Sequence, residues 1–471
     1  MKRLLIYFHY DAQGSLDGPC RFAVQALRPF GDLLVVTNGT LDAQDQDWLH
    51  RQDIRLLQRQ NTGLDVGAYR EALLTLGREP VCEYEELVLM NFTLAGPVGD
   101  LALMFSAMES RTDLDFWGLT RHYAMRSRRF GGFVPEHLQS HFLAVRRGLL
   151  CQDVFWRYWQ QMPLPRSYEE SVARHETRFT AYFAEQGFTW DSYVDTRELA
   201  NVFVNPIMAC PRELVENRGC PFFKRRSFFT PYEDELRRTD GNAARDLYEY
   251  LKNRTSYPVD ELLRALLRSQ PLSALAKNMH WHVVLPEWEN TSAQTPDLEA
   301  LGLALVRFAP VSCDPVTSWY LAQNARWADT HLTQAAELFA QDPLLGVICP
   351  SLPLWPAADR ELCRRWRQDR AQVAEHVSVP LNDDPPAALS AGWVLVRKKA
   401  FPQGVPSVQD LGSSWLLPLQ AQQNGFYTGT FAPAAQAAAG VEQLQAYTRA
   451  AGRPAAVAKQ LGRLLKHKIK R

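Results

Sequence analysis

The feature that most restricts this chain is the alternation of short apolar runs with helical patterns along its first hundred residues. LLIYFHY (Leu4–Tyr10), DLLVVTNG (Asp32–Gly39), IRLLQRQN (Ile54–Asn61) and ELVLMNFT (Glu86–Thr93) read as four strands. Between the third and fourth, GLDVGAYREALLTLG places Val66, Tyr69, Leu73 and Leu76 on one helical stripe. Strand–helix alternation predicts a mostly parallel sheet with helices on both faces. Such sheets bind ligands beyond the carboxyl ends of their strands, where Asp11, Asn38, Asn61 and Asn91 fall. DFWGLTRHY (Asp115–Tyr123) and HLQSHFLAVRRGLL (His137–Leu150) continue as fifth and sixth strands, the latter running into a helix. The pattern from Tyr168 to Gln186 predicts one helix ended by Gly187, and Trp190–Val194 a further strand.

From Asn205 to about Pro258 no periodicity is visible, and the segment reads as a connection packed on the first domain. A short helix follows from Pro258 to Pro271. A second α/β block is expected from His280, with strands in HWHVVLP, Leu344–Cys349 and Trp393–Lys398. AGWVLVRKKAF (Ala391–Phe401) echoes SHFLAVRRGLL (Ser140–Leu150), each a strand with a basic pair before a helix. The chain ends KQLGRLLKHKIKR, a basic pattern with Leu461, Leu464, Leu465 and Ile469 on one face. That pattern suits either an anionic membrane surface or a solvated terminal helix.

The balance of 52 Lys+Arg against 52 Asp+Glu gives no basic field of the kind nucleic acid requires. Eight cysteines contain no CxxC pair, which argues against a structural zinc site and for reduced thiols. No stretch approaches the ~20 apolar residues of a membrane span. The absence of a P-loop, GxSxG, HExxH or GxGxxG removes the usual support for NTPase and hydrolase readings.

NTGLDVGAYREAL (Asn61–Leu73) is the most specific local signal. Gly63 and Gly67 flank a helix start where backbone can approach a phosphate, and Asp65 is a natural N-cap. A plain cap with packing glycines explains the same spacing. LVLMNFTLAGP (Leu87–Pro97) emerges from a strand into Asn91-Phe92-Thr93, which lacks the carboxylates that hold a hard cation. Glu176, beside His175, is placed to take a proton if its helix borders a pocket. His137 and Gln139 are candidates for binding hydroxyls. Lys224–Arg226 is either a diphosphate partner or a solvated face.

Taken in order, RLLIYFHYDAQG, NTGLDVGAYREAL, ELVLMNFTLAGP, DFWGLT, HLQSHFLAVRRGLL, GFTWDSYVDT and CPFFKRRSFF resemble the rhamnan synthesis protein F family, glycosyltransferases of bacterial surface polysaccharide assembly. The resemblance spans residues 1–285. It implies an α/β, GT-A-like (Rossmann-like) nucleotide-sugar domain over residues 1–204 and a connecting segment over 205–277. A smaller, degenerate GT-A-like α/β domain would cover 278–440, and the basic pattern at the end of the chain reads as an amphipathic helix over 441–471. It also implies inverting transfer of L-rhamnose from dTDP-rhamnose to a lipid-linked O-antigen or rhamnan acceptor. The protein would then be cytoplasmic and peripheral on the inner face of the membrane.

A more distant resemblance to family 2 glycosyltransferases makes Glu176 the base, with His175 beside it. The implied donor set is His9, Asp11, Asn38, Asn61, Gly63, Asp65, Gly67, Arg70, Asn91 and Thr93, and the acceptor set His137, Gln139 and Ser140. Asn91-Phe92-Thr93 stands where those relatives carry an acidic metal-binding motif, which puts a Mg or Mn ion in doubt. The same departure keeps open a rival reading, a non-catalytic glycan- or partner-binding subunit.

Overall fold

The structure is a computed structural model that describes residues 1–127, 132–230, 242–281, 296–308, 315–351, 356–386, 392–409 and 411–432. They fall in two compact units, Met1–Arg226 with Asp246–Val259, and Ser227–Arg245 with Asp260–Arg471. The basic C-terminal segment and most of HWHVVLP lie outside the described residues. Among those described, no helix is long and apolar enough to cross a membrane.

The first unit is built on seven strands: β1 (Arg3–Tyr10), β2 (Asp32–Asn38), β3 (Arg55–Arg59), β4 (Glu86–Asn91), β5 (Phe116–Gly118), β6 (Phe142–Arg146) and β7 (Trp190–Ser192). Their order is β7-β5-β6-β4-β1-β2-β3. Strand β1 pairs in parallel with β2 and β4, β2 with β3, and β5 with β7. Strand β6 runs antiparallel to both its neighbours, β4 and β5. The start of β6 therefore lies at the edge where the parallel strands end.

The period-2 pattern of the apolar runs divides their side chains between two faces. Leu5, Tyr7, Val35, Val88 and Met90 pack with helices α1 (Gly18–Leu27), α2 (Ala43–Arg51) and α4 (Leu101–Glu109). Leu4, Ile6, Phe8, Val36 and Leu89 pack on the other face with α3 (Leu64–Leu76), α5 (Asp153–Gln161) and α6 (Thr177–Ala184). Val66, Tyr69 and Leu73 of the expected α3 stripe are fully buried there.

Three local expectations change. The helix expected over Tyr168–Gln186 is interrupted by a π-helical turn, Val172–Glu176, ahead of α6. The sixth strand is broken at Gln139–His141, and His137–Leu138 pairs instead with Arg121–His122. The segment from Asn205 is structured: Pro206 and Pro211 each open a short helix, Phe223–Lys224 pairs with Leu94–Ala95, and Ala243–Arg254 is helical. Proline at a helix start leaves no apolar periodicity to read.

The second unit carries a smaller mixed sheet of β8 (Leu303–Arg307), β9 (Leu345–Pro350), β10 (Trp393–Arg397) and β11 (Tyr427–Phe431), in the order β8-β10-β9-β11. Strand β10 is antiparallel to both neighbours, as β6 is in the larger sheet. Each is followed directly by a basic pair and a helical turn, so the echo between the two sequences is also one of position.

Candidate functional site

At the carboxyl edge of the larger sheet, Arg59 organises the loop between β3 and α3. Its guanidinium is buried and donates to Asn38 Oδ1, to the Thr62 carbonyl at 2.9 Å and to Glu71 Oε2 at 2.7 Å. Asn38 in turn donates to Asn61 Oδ1 at 3.1 Å and to the Leu64 carbonyl at 3.3 Å. Asn38 is thus a latch with its amide fully engaged. Gly63 is left-handed at φ 73° and caps α3, so Asp65 is not the N-cap: it lies inside the first turn. Leu64 is also left-handed, at φ 54°, a conformation that costs a non-glycine residue about 1–2 kcal/mol. A side chain at Gly67 would meet the Thr62 carbonyl at 2.6 Å, which accounts for that glycine by packing.

Asp65 is released from capping to face β4. Its Oδ2 accepts from Asn91 Nδ2 at 2.8 Å. Asn91 Oδ1 accepts from the Thr93 amide at 3.2 Å and from the Thr93 hydroxyl. Thr93 Oγ1 accepts from Lys224 Nζ at 3.1 Å. A line of polar groups therefore runs Asp65–Asn91–Thr93–Lys224. Burial pushes the Asp65 carboxyl up despite the Asn91 bond. Burial lowers Lys224 to about 8, opposed by the charges of Glu176 and Asp65.

The second cluster forms where β6 begins. The Asn91 amide donates to the His141 carbonyl at 3.1 Å, which joins the two clusters. Glu176 Oε2 accepts from the Ser140 amide at 3.0 Å and the Ser140 hydroxyl at 2.7 Å. Its other oxygen lies 3.9 Å from His137 Nε2. His137 Nδ1 meets the Pro135 carbonyl at 2.7 Å, so that nitrogen carries the proton and Nε2 faces the carboxylate. The ring stacks on His122 at 5.1 Å. Burial works to raise Glu176, but His137, the Ser140 bonds and the Lys224 charge prevail and hold it well below the usual carboxylate range. The π-helical turn separates the fates of its last two residues: Glu176 reaches Ser140, while His175 turns into the core.

The remaining candidates are distributed as follows. His175 Nδ1 pairs with the Tyr158 hydroxyl at 2.6 Å among Trp159 and Phe179, and burial lowers it to about 4. His9 is buried against Phe92 and bonded to Thr37 at 3.1 Å, with burial lowering it to about 4. Arg70 donates to the carbonyls of Trp159 and Gln160 and ties α3 to α5. Asp11 accepts from the amides of Gln13 and Ser15 and shapes the loop after β1. Gln139 bridges Thr120 at 2.8 Å and Asn205 at 3.2 Å. Arg59, Thr120, His122, His141 and Asn205 were not singled out from the sequence, and no local motif marks them. Lys224 stood out only as part of a basic triplet.

A divalent cation does not fit this donor set. The Asn91 carbonyl oxygen is already bonded to Thr93, and an ammonium lies against the Thr93 hydroxyl. Among the described residues, no three His, Cys, Asp or Glu side chains gather into a group that would hold a metal ion.

A family model described as rhamnan synthesis protein F matches residues 33–304, more than half of the chain. The chain belongs to that family. The match runs from the second residue of β2 through β7 to the first two residues of β8 and takes in both polar clusters. The uncharacterized protein y4gN of Sinorhizobium fredii is 24% identical over 205 residues, 43% of this chain and 51% of that protein. The chain thus spans about half the length of the curated relative it matches. The mannosyltransferase Ktr4p from S. cerevisiae covers 38% of this chain and 62% of its own at 8% identity, with a TM-score of 0.24. A glycosyltransferase involved in glycosylation of the major capsid of PBCV-1 covers 47% and 93% at 8% identity, TM-score 0.25. A cytidylyltransferase from Leptospira borgpetersenii covers 42% and 78% at 15% identity, TM-score 0.25. Similarity at this level carries no argument about chemistry.

Proposed function

We propose that this rhamnan synthesis family protein is a GT-A-like glycosyltransferase that moves L-rhamnose from dTDP-rhamnose to a lipid-linked glycan with inversion. The observation that carries the reading is Glu176, held by two Ser140 bonds with its second oxygen left toward His137, at the carboxyl edge of the sheet. In the reaction, the acceptor hydroxyl oxygen forms a bond to the anomeric carbon. The bond from that carbon to the diphosphate breaks, and its electron pair leaves with the nucleoside diphosphate. The hydroxyl proton passes to Glu176 Oε1. A carboxylate held below its usual range is ionised at neutral pH; the interactions that hold it there also weaken it as a base, so the role rests on its position. Asp65 and Thr93 supply hydrogen bonds to the donor, and His137 orients the acceptor side.

A thermal-shift panel of dTDP-rhamnose, UDP-sugars and GDP-sugars tests donor choice. A donor at 100 times its dissociation constant stabilises by about 2.7 kcal/mol, a shift of several degrees. A shift with dTDP-rhamnose alone supports the rhamnosyl assignment, and one with another donor replaces it. The second reading, a non-catalytic binding subunit, draws on the carboxylate-free Asn91-Phe92-Thr93. Silence across the panel would select it.

A further inference from the structure

Lys224 is the one basic side chain in the Asp65–Asn91–Thr93 line. It reaches the site because Phe223–Lys224 pairs with Leu94–Ala95, which sets Lys224 opposite Leu94. Arg225, next in sequence, points the other way into an ion pair with Asp17, fixing the strand that carries Lys224. The residue as a whole is half-buried, with its ammonium end held against the Thr93 hydroxyl. It lies in the field of two carboxylates, Glu176 and Asp65, and bonds to the hydroxyl of the very triplet where a metal-binding motif would stand. Of the two, Glu176 acts on the ammonium more strongly than Asp65.

We propose that the Lys224 ammonium takes the place and the electrostatic role of a divalent cation, meeting the diphosphate of the nucleotide-sugar donor so that binding and transfer need no metal ion. This rests on the glycosyltransferase reading and deepens it. As the bond to the anomeric carbon breaks, the negative charge that gathers on the leaving diphosphate is met by a fixed cation already in position, without reorganisation at that moment. The other charged or titratable groups that act on or feel this ammonium are Glu176, Asp65, Arg226 and His141. Since burial lowers Lys224 to about 8, diphosphate affinity should decline as pH rises past that value in the free protein.

The test is calorimetric titration of dTDP, UDP, GDP and inorganic pyrophosphate into the full chain, with EDTA and with Mg²⁺ or Mn²⁺. Wild type, Lys224→Met, Lys224→Arg and Thr93→Val are compared, each checked for its melting transition. The expected result is nucleoside diphosphate binding by wild type in EDTA. Binding should weaken by at least about tenfold in Lys224→Met, recover in part in Lys224→Arg, and weaken less in Thr93→Val, which frees the ammonium but keeps its charge. Binding that appears only with Mg²⁺ or Mn²⁺ overturns the proposal and leaves the glycosyltransferase reading standing. So does equal binding by wild type and a folded Lys224→Met. If Lys224→Met does not fold, equal binding by wild type and Thr93→Val together with a flat response to pH between 7 and 9.5 overturns it. No binding of any diphosphate under any condition ends both.

Discussion

Replacing Glu176 by Gln separates the proton-accepting role of this side chain from its structural one. In the folded protein Glu176 Oε2 accepts two hydrogen bonds from Ser140, while Oε1 stands 3.9 Å from His137 Nε2. Gln is nearly isosteric. Its carbonyl oxygen can keep both Ser140 bonds, and its amide NH₂ then takes the place of Oε1 beside the His137 ring. Position and packing survive, and the capacity to accept a proton at that point is lost. General-base catalysis contributes about 10²–10⁴ in rate, so the barrier should rise by about 2.7–5.4 kcal/mol. The assay follows release of nucleoside diphosphate from the donor at saturation, together with donor affinity by calorimetry. Turnover should fall by about 10²–10⁴-fold while donor affinity changes by less than about threefold. Turnover within about threefold of wild type, in a variant that melts normally, would remove Glu176 from the mechanism. A parallel loss of affinity would show instead that it binds donor.

Two further perturbations probe the framework. Asp65→Asn keeps an acceptor for Asn91 but removes a carboxylate that burial pushes up. A carboxyl with a raised folded value costs stability as pH climbs from the ordinary carboxylate range through that raised value. The variant should therefore melt no lower than wild type at pH 7–8 while binding donor more weakly, and a lower melting temperature would contradict the assignment. Arg59→Met strips the donors from Asn38, Thr62 and Glu71, and since the guanidinium is buried the cost should be about 2–4 kcal/mol. Calorimetry should show the larger unit melting ~5–10 °C lower, and an unchanged transition would mean that the loop is held by other contacts.

The sheet was legible because burial on two faces leaves a pattern that survives in sequence. Leu4, Ile6 and Phe8 go to one face and Leu5 and Tyr7 to the other, and Val66, Tyr69 and Leu73 mark the face of α3. A ligand-binding edge follows from the direction of such strands, which puts Asn38, Asn61 and Asn91 at the carboxyl end of the sheet. What the pattern cannot carry is which polar groups at that edge are already used. Asn38 is spent on Arg59 and Asn61, Arg70 on two carbonyls of α5, and Ser140 on Glu176. Each partner is remote in sequence, and a hydrogen bond between remote residues leaves no periodicity.

The same holds for how the named groups come together. His137 reaches Glu176 because β6 is reversed and broken at Gln139–His141, and Glu176 reaches Ser140 because a π-helical turn redirects it away from the core that holds His175. Lys224 is 131 positions from Thr93, and only the antiparallel pairing of two two-residue strands brings them together. A basic triplet on a solvated face and one aimed into a site look alike in sequence. Here they are told apart by their partners: Arg225, which opens the 3-10 turn after the strand, is committed to Asp17, while Lys224 at the strand's end bonds to Thr93 in the field of the carboxylates. At this edge Asn91-Phe92-Thr93 carries no carboxylate, and the Lys224 ammonium bonds to its hydroxyl. A cation held by carboxylates and a cation carried by the chain are alternative ways to balance the same diphosphate, and this site has the residues for the second.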